Sequence, residues 1–490
     1  MKRKIFIALL ALAVFFVPIS LSCTEKGGGS ENSGSPTADD GSGGNGTGTE
    51  SHADALPKEN YGGYVFKIIG RHGGIFLTFP EEEETGDPVN DALYNRNRAT
   101  EEYFNVKIKN IDFSDQFEIS QNVKNSVNAQ DGAYDMVLNS LTNGLGTIAP
   151  QGLLYDLNSM DHLRPDEEWW CKSLYDDMQV NGRIFYSAGP ICPFFYDAPF
   201  VCAYNKTLAA DLDMGNINQL ALNGEWTAGR LSELIKDANR DINGNGKMDR
   251  EDFFGLASDP TVGTALAFAF GQKMTIRDDE RHFKLNFESE AMVNAVNLCA
   301  DIILDKTSSY NGAVTHSEAY EEVTPFKDNR VIFLIVPMGV VDIYLRDMKD
   351  DYGIIPLPKL DSSQDKYYSY GLPFGPVGAG VPVYCDAPER TGLIMEMMAQ
   401  LSHDMVRPAK YDNLLRQKVA RDEESQQMLD LIFSNIYFDL NEIQNFGGSR
   451  DLVNNVIYGG RGDFVSGYEK IKDKAEKDIQ ELVDAYLSLE

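Results

Sequence analysis

Between Tyr64 and Leu154 the chain changes its hydrophobic period repeatedly, and that alternation restricts the folds open to it. Tyr64–Ile69 (YVFKII) reads as a buried strand. Asp87 and Pro88 supply the cap and first turn of a helix running to about Phe104. Val106–Ile111 alternates as a strand and Phe117–Ala129 is helical. Asp135–Leu138 (DMVL) is a short core strand before another helical stretch to Leu154. Strand, helix, strand, helix, strand at this spacing predicts an open α/β sheet. Ligands of such sheets sit beyond the carboxyl ends of the strands. Asn139 and Ser140, directly after the third strand, are therefore candidate binding residues.

Downstream, Met178–Tyr186 reads as a hairpin turning at Asn181-Gly182. A strand at Asp197–Tyr204 leads into a helix at Asn205-Lys206, and Thr227–Ala238 is an amphipathic helix after Trp226. Residues 260–287 end in a hairpin, Ser289–Leu304 is a helix, and Arg330–Val336 is an apolar strand stopped by Pro337. Val377–Tyr384 is a further strand. Pro388–His403, Glu423–Phe433 and Glu469–Leu487 read as helices, and no internal repeat is present.

Upstream of this body, residues 1–22 join a basic start (Lys2, Arg3, Lys4) to an apolar run from Ile5 to Val17. The run is shorter than the ~20 residues a bilayer span requires, so it reads as a secretory leader. Gly27–His52 is almost entirely polar residues and glycine and cannot form a core. Leader, Cys23 and polar tether (residues 23–55) together resemble a bacterial lipoprotein, in which Cys23 becomes the lipidated first residue. The resemblance implies a protein held at the cell membrane, facing outward, by its acyl chains alone, each buried CH₂ contributing ~0.8 kcal/mol. An ordinary secreted protein is the alternative.

Charge narrows the partners. The formal net charge is −31, and −34 without the three basic leader residues. So acidic a body argues against nucleic acid and against anionic lipid as partners of its surface. Beyond Cys23 there are five cysteines, Cys171, Cys192, Cys202, Cys299 and Cys385, and an odd number cannot all pair within one chain. Cys202, Cys299 and Cys385 sit in apolar strings and read as buried thiols. An exported context leaves a Cys192–Cys202 bridge open.

The sharpest local motif is the twelve-residue run Asp241–Asp252 (DINGNGKMDRED). Asp241, Asn243, Asn245, Asp249 and Asp252 occupy positions 1, 3, 5, 9 and 12, with Gly246 at the sharp turn and the Lys247 carbonyl at position 7. Hard Ca²⁺ takes six to eight oxygens, which this spacing can gather. Position 12 is Asp where a helix–loop–helix hand usually has Glu. A plain polar turn between helices is the competing reading, and any ion held here would be structural.

Catalytic signals are weak: the six histidines are scattered, neither HExxH, nor G-x-S-x-G, nor a phosphate loop occurs, and carboxylates are too abundant for spacing to single out a glycosidase pair. Arg461-Gly462-Asp463 reads as a loop rather than as an adhesion motif. Aromatic residues are more informative. Trp169-Trp170, Tyr196, Trp226, Tyr367-Tyr368, Tyr370 and Phe374 fall around expected loops, where ring faces can stack on sugars. Core packing is the competing role for each, and Trp226 can simply anchor the following helix.

The order of segments resembles that of extracellular solute-binding proteins of the maltose-binding type (family 1), the receptors of ABC importers. Its marks are VNDALYNRNRATEEYFNV, YDMVLNSLTNG, VNGRIFYSAG leading to FVCAYNK, NGEWTAGRLSELIKDANRDINGNGKMD, YGIIPLPK, GAGVPVYCDAPER and KVARDEESQQMLDLIF. The resemblance spans most of residues 56–490. It implies a two-lobed periplasmic-binding-protein-like (type II) α/β fold with a hinge and an interlobe cleft. Residues 56–193 and 366–410 would form one lobe, and 194–365 and 411–490 the other. Ligand positions implied are Asn139 and Ser140, Tyr196 and Asp197 at the first crossing, Pro337 and Met338, and Tyr370 and Phe374 at the return. The expected protein is a non-enzymatic, lipid-anchored, calcium-containing receptor that passes a carbohydrate to a permease. A surface glycan-active hydrolase and an adhesion lipoprotein without a small ligand are the rivals.

Overall fold

A computed structural model describes residues 56–278, 280–310, 320–416, 423–458 and 463–489. The leader, Cys23, the tether and the Arg461-Gly462 loop lie outside the described residues. In chain order the strands are β1 (Tyr64–Arg71), β2 (Val106–Phe113), β3 (Met136–Asn139), β4 (Ser187–Ala188), β5 (Phe200–Asn205), β6 (Phe254–Ser258) and β7 (Thr275–Arg277). There follow β8 (Phe283–Leu285), β9 (Ser309–Tyr310), β10 (Val331–Pro337), β11 (Tyr352–Ile355), β12 (Ser369–Tyr370), β13 (Gly378–Gly380) and β14 (Ile436–Tyr437).

Two five-stranded sheets organise the core, in the orders β2-β1-β3-β13-β4 and β11-β5-β10-β6-β9. In the first, β1 runs parallel to β2 and β3, while β13 is antiparallel to both β3 and β4. In the second, β10 and β9 run parallel to β6, and β5 is antiparallel to β10. The apolar strand expected at Arg330–Val336 is the centre of this sheet. All seven residues of β10 are buried, as befits a strand covered on both faces. The early alternation predicted an open α/β sheet; β1, β2 and β3 form its parallel part, β13 and β4 extend it, and a second sheet lies further along the chain.

Local signals account for many helix starts. Asp87 accepts from the backbone N–H groups of Val89 and Asn90 and caps Pro88–Phe104. Thr227 and Ser289 do the same for Ala228–Ile235 and Glu290–Ile303. At Asn181-Gly182 both residues have positive φ, but the hairpin is reduced to one bridge, Val180 to Arg183.

Three sequence expectations change. Leu141–Gln151 is a broken series of short turns, because Thr142, Asn143 and Gly144 leave helical geometry and Ser140 Oγ donates to the Thr142 carbonyl. Val377–Tyr384 contributes only Gly378–Gly380 as strand. Cys192 and Cys202 do not pair: both are buried free thiols, as are Cys171, Cys299 and Cys385. The C-terminal helix Lys472–Ser488 lies against the hairpin before β4, with Tyr486 4.7 Å from the Phe185 ring and its carbonyl accepting from Arg183.

Candidate functional site

The parallel strands of the first sheet end at Arg71, Phe113 and Asn139, and those of the second at Ser258, Tyr310 and Pro337. The chain passes from the first sheet to the second between Ala188 and Phe200, leaves the second after Ile355, and rejoins the first at Gly378 by way of β12, which pairs with β14. These crossings are stitched together by main chain. Leu372 N–H donates to the Ala198 carbonyl (2.9 Å), Met338 N–H to Pro199 (2.8 Å) and Gly339 N–H to Asp197 (2.9 Å). A Cβ at Gly339 would stand 3.1 Å from that of Asp197, so glycine permits this approach.

Contacts run between the strand ends on one side of the crossings, and a cavity lies between them on the other. On one side the Arg71 guanidinium, at the end of β1, donates to Gln116 Oε1 and to the Phe374 carbonyl, both at 3.1 Å. It also lies 4.0 Å from the Phe76 ring. The Phe374 ring in turn lies beneath Arg450 (5.3 Å). Asn454 Nδ2 then donates to Thr264 Oγ1 (2.9 Å) in the helix that follows β6. On the other side a cavity of about 250 Å³ separates Gly74, Ile75 and Leu77, after β1, from Asp342, Ile343 and Arg346, after β10. Pro193, Asp197, Lys410 and Asn413 complete its lining.

The chemistry of this region is apolar surface beside fixed charge. Phe117, Ile75, Ile343 and Tyr344 are exposed on the segments following β2, β1 and β10, and Tyr344 lies 5.2 Å from the Tyr320 ring. Exposed aromatic and aliphatic groups at strand ends are available to the apolar face of a ligand. Behind them, Lys410 Nζ contacts both Asp197 oxygens (2.7 and 2.9 Å) and Asp342 Oδ2 (3.3 Å). Burial pushes the Asp197 carboxyl up to about 6, offset by Lys410 and reinforced by Asp342.

The residues nominated from sequence fall into three groups. Asp197 and Phe374 belong to the strand-end region just described, and Phe374 stays partly exposed. Asn139, Ser140, Pro337 and Met338 stand at the strand ends but are buried. Asn139 Nδ2 donates to the Gln116 carbonyl (3.1 Å) and its Oδ1 accepts from Ser140 N–H (2.9 Å), so this pair shapes the β3 turn. Tyr370 is buried, donating to Glu442 Oε2 (2.8 Å) and stacked on Phe268 (5.1 Å).

Tyr196 faces away from its neighbour Asp197, into a separate cavity of about 640 Å³ with Trp170, Phe195, Tyr368, Phe433 and Tyr437. Trp226 is removed from the surface altogether. It is fully buried, its Nε1–H donates to the Pro356 carbonyl (2.9 Å), and its ring lies 5.5 Å from Phe333. It anchors the second sheet.

Several residues at the site carry no sequence signal of their own. Arg71, Ile75, Phe117, Ile343 and Tyr344 could have been found only by looking one turn past each strand end. Lys410 meets Asp197 across 213 positions of chain, a separation no local spacing reveals.

The Asp241–Asp252 loop lies before the amino end of β6, between the helix Ala228–Ile235 and that strand. It is therefore a helix–loop–strand unit rather than a helix–loop–helix hand. Asp241 accepts from Gly244 N–H (2.6 Å) and Gly246 N–H (2.8 Å). Buried Asp252 accepts from Ile242 N–H (3.0 Å) and Asp249 N–H (2.9 Å). Gly244 and Gly246, at φ +72° and +76°, allow the coil. Among the described residues no group of three or more His, Cys, Asp or Glu side chains converges as a metal site. A cation here would thus need Asn243, Asn245 and the Lys247 carbonyl besides the carboxylates, an all-oxygen set that suits Ca²⁺.

No family model and no curated protein matches the sequence. Solved structures do match the fold. The cyclic α-maltosyl-1,6-maltose binding protein from Arthrobacter globiformis superposes with a TM-score of 0.58 at 13% identity, over 86% of this chain and 99% of that one. The maltose-binding periplasmic protein MalE from Listeria monocytogenes, in complex with maltose, gives 0.55 at 13% identity over 86% and 97%. An ABC substrate-binding protein from Listeria monocytogenes, in complex with cycloalternan, gives 0.53 at 13% identity over 85% and 99%. At such identities the likeness speaks for architecture, and it agrees with the two sheets and their crossings. The chain has the two-lobed α/β fold of the maltose-binding-type ABC solute-binding proteins.

Proposed function

We propose that the protein captures a carbohydrate, an oligosaccharide above all, between its two lobes and presents it to the membrane permease of an ABC importer. The observation that carries this reading is the strand-end region itself, where Phe117 and Tyr344 are exposed, Phe374 is partly exposed, and exposed Ile75 and Ile343 line a cavity with the largely buried Asp197, Asp342 and Lys410. Structures of the same fold hold cycloalternan, maltose or tagatose according to their descriptions, and they are binding proteins. A solute that touches both lobes binds the closed arrangement more tightly than the open one and so draws the lobes together; capture needs no chemistry.

Three features accompany capture. Cys23 carries the lipid that keeps the body outside the cell at the membrane. The polar stretch Gly27–His52 of the tether, if coiled, spans roughly 25–30 Å and lets the body reorient over its permease. The Asp241–Asp252 loop holds a structural Ca²⁺ through Asp241, Asn243, Asn245, Lys247, Asp249 and Asp252.

A thermal-shift screen of neutral glycans, sugar acids, amino acids, peptides and nucleosides tests the solute class. A ligand at 100 times its Kd adds about 2.7 kcal/mol, a readily seen shift. Neutral glycans are expected to give the response. A response confined to another class would overturn the carbohydrate reading, and turnover of a glycan would favour a hydrolase.

A further inference from the structure

The contact between Asp197, Lys410 and Asp342 joins three separate parts of the chain: Gly339 N–H already holds the first crossing to the segment after β10, and Lys410 reaches both from a third. Asp197 ends the turn Pro193–Tyr196 within the first crossing, and Asp342 lies in the helix Met338–Tyr344 after β10. Lys410 lies in the helix Arg407–Arg416, remote in sequence from both. All three side chains are largely shielded, at 13%, 7% and 8% exposure for Asp197, Lys410 and Asp342. Two carboxylates thus share one buried ammonium, and the more exposed Arg346 makes a longer contact with Asp342 (3.5 Å).

We propose that this triad is a proton-sensitive clasp of the hinge, with Lys410 as the positioning residue that ties its own helix to the first crossing and to the segment after β10. When both carboxylates are ionised, Lys410 bridges them and fixes the crossing. A proton taken up by Asp197 leaves a balanced Lys410–Asp342 pair and releases the crossing from its charge-assisted bonds.

The surroundings favour Asp197 as the group that takes the proton. Asp342 has further polar neighbours, Arg346 Nη2 (3.5 Å) and Asn413 Nδ2 (3.4 Å), whereas Asp197 relies on Lys410. Asp87, at the start of the helix Pro88–Phe104, lines the same cavity and adds negative charge. Burial raises the Asp197 carboxyl to about 6, and Lys410 is itself held above its ordinary value by the two carboxylates despite its burial. Retention of a captured solute would follow the proton concentration, a consequence that rests on the capture reading above. The clasp itself does not depend on that reading.

Hydrogen exchange of the ligand-free protein, read by mass spectrometry at about pH 7.5 and about pH 5 and corrected for intrinsic rates, tests the clasp. In the parent, residues 193–199 are expected to exchange about tenfold faster at the lower pH. Asp197→Asn should exchange fast at both values, with no pH response. Lys410→Met should be fast at the higher pH, and Lys410→Arg should restore protection. A parent without a pH response in this segment, or an Asp197→Asn protein that keeps the parent's response, would overturn the proposal. If Lys410→Met fails to fold, the near-isosteric Asp197→Asn protein still decides.

Discussion

Glu396 accepts the indole N–H of Trp169 at 2.8 Å and that of Trp170 at 3.1 Å, and both rings are buried. Removing the carboxylate strands two buried donors. Glu396→Ala is therefore expected to lose about 2–4 kcal/mol in urea unfolding. Trp226→Ala should cost about 3–5 kcal/mol through its cavity, yet leave solute affinity unchanged, since no ligand reaches that ring. Glu442 gives a pH prediction. Burial lifts its carboxyl to about 8, with Tyr370 donating to it, so the folded protein keeps a proton that the unfolded chain releases near pH 4.5. The stability it contributes is full below the unfolded value and lost as pH rises through about 8. Glu442→Gln should abolish that decline, as measured by unfolding midpoints across the range. Residue identity reads from sequence only so far. An aromatic near a loop does not declare whether it faces ligand or core: Trp226 and Tyr370 are packed in the core, while Tyr196 lines a separate cavity.

At the scale of elements, periodicity was legible where one face is buried and silent where both are. Pro88–Phe104 and Gln116–Ala129 emerged from their caps and stripes. Val262–Ala269 did not, because all eight of its residues are buried and no polar face marks its turn. The Leu141–Gln151 region misled because its apolar spacing is helical while its backbone bonds are claimed by Ser140 and Pro373. The Asp241–Asp252 loop was legible as an oxygen-rich turn, though not that a strand follows it. If it holds Ca²⁺, the ion should raise the melting temperature of the parent, and Asp241→Ala should abolish that rise. An equal rise in both proteins would place any bound calcium elsewhere.

For the whole molecule, the alternation of strands and helices indicated an open α/β sheet and the resemblance to solute-binding proteins implied two lobes; two five-stranded sheets are present. Which side chains form the candidate site was much less legible, because the strand-end region is assembled from segment ends far apart in the chain. Arg71, Phe374 and Arg450 meet there from positions hundreds of residues apart. The lining of the smaller cavity, three carboxylates (Asp87, Asp197, Asp342) against Arg346 and Lys410, disfavours acidic sugars relative to neutral ones. The central claim is capture of a neutral glycan without its alteration, and calorimetric titration with linear and cyclic malto-oligosaccharides tests it most directly. Saturable binding of one glycan per protein is expected, with no new reducing ends released. Absence of heat with every neutral glycan offered, or cleavage of the one that binds, would contradict it.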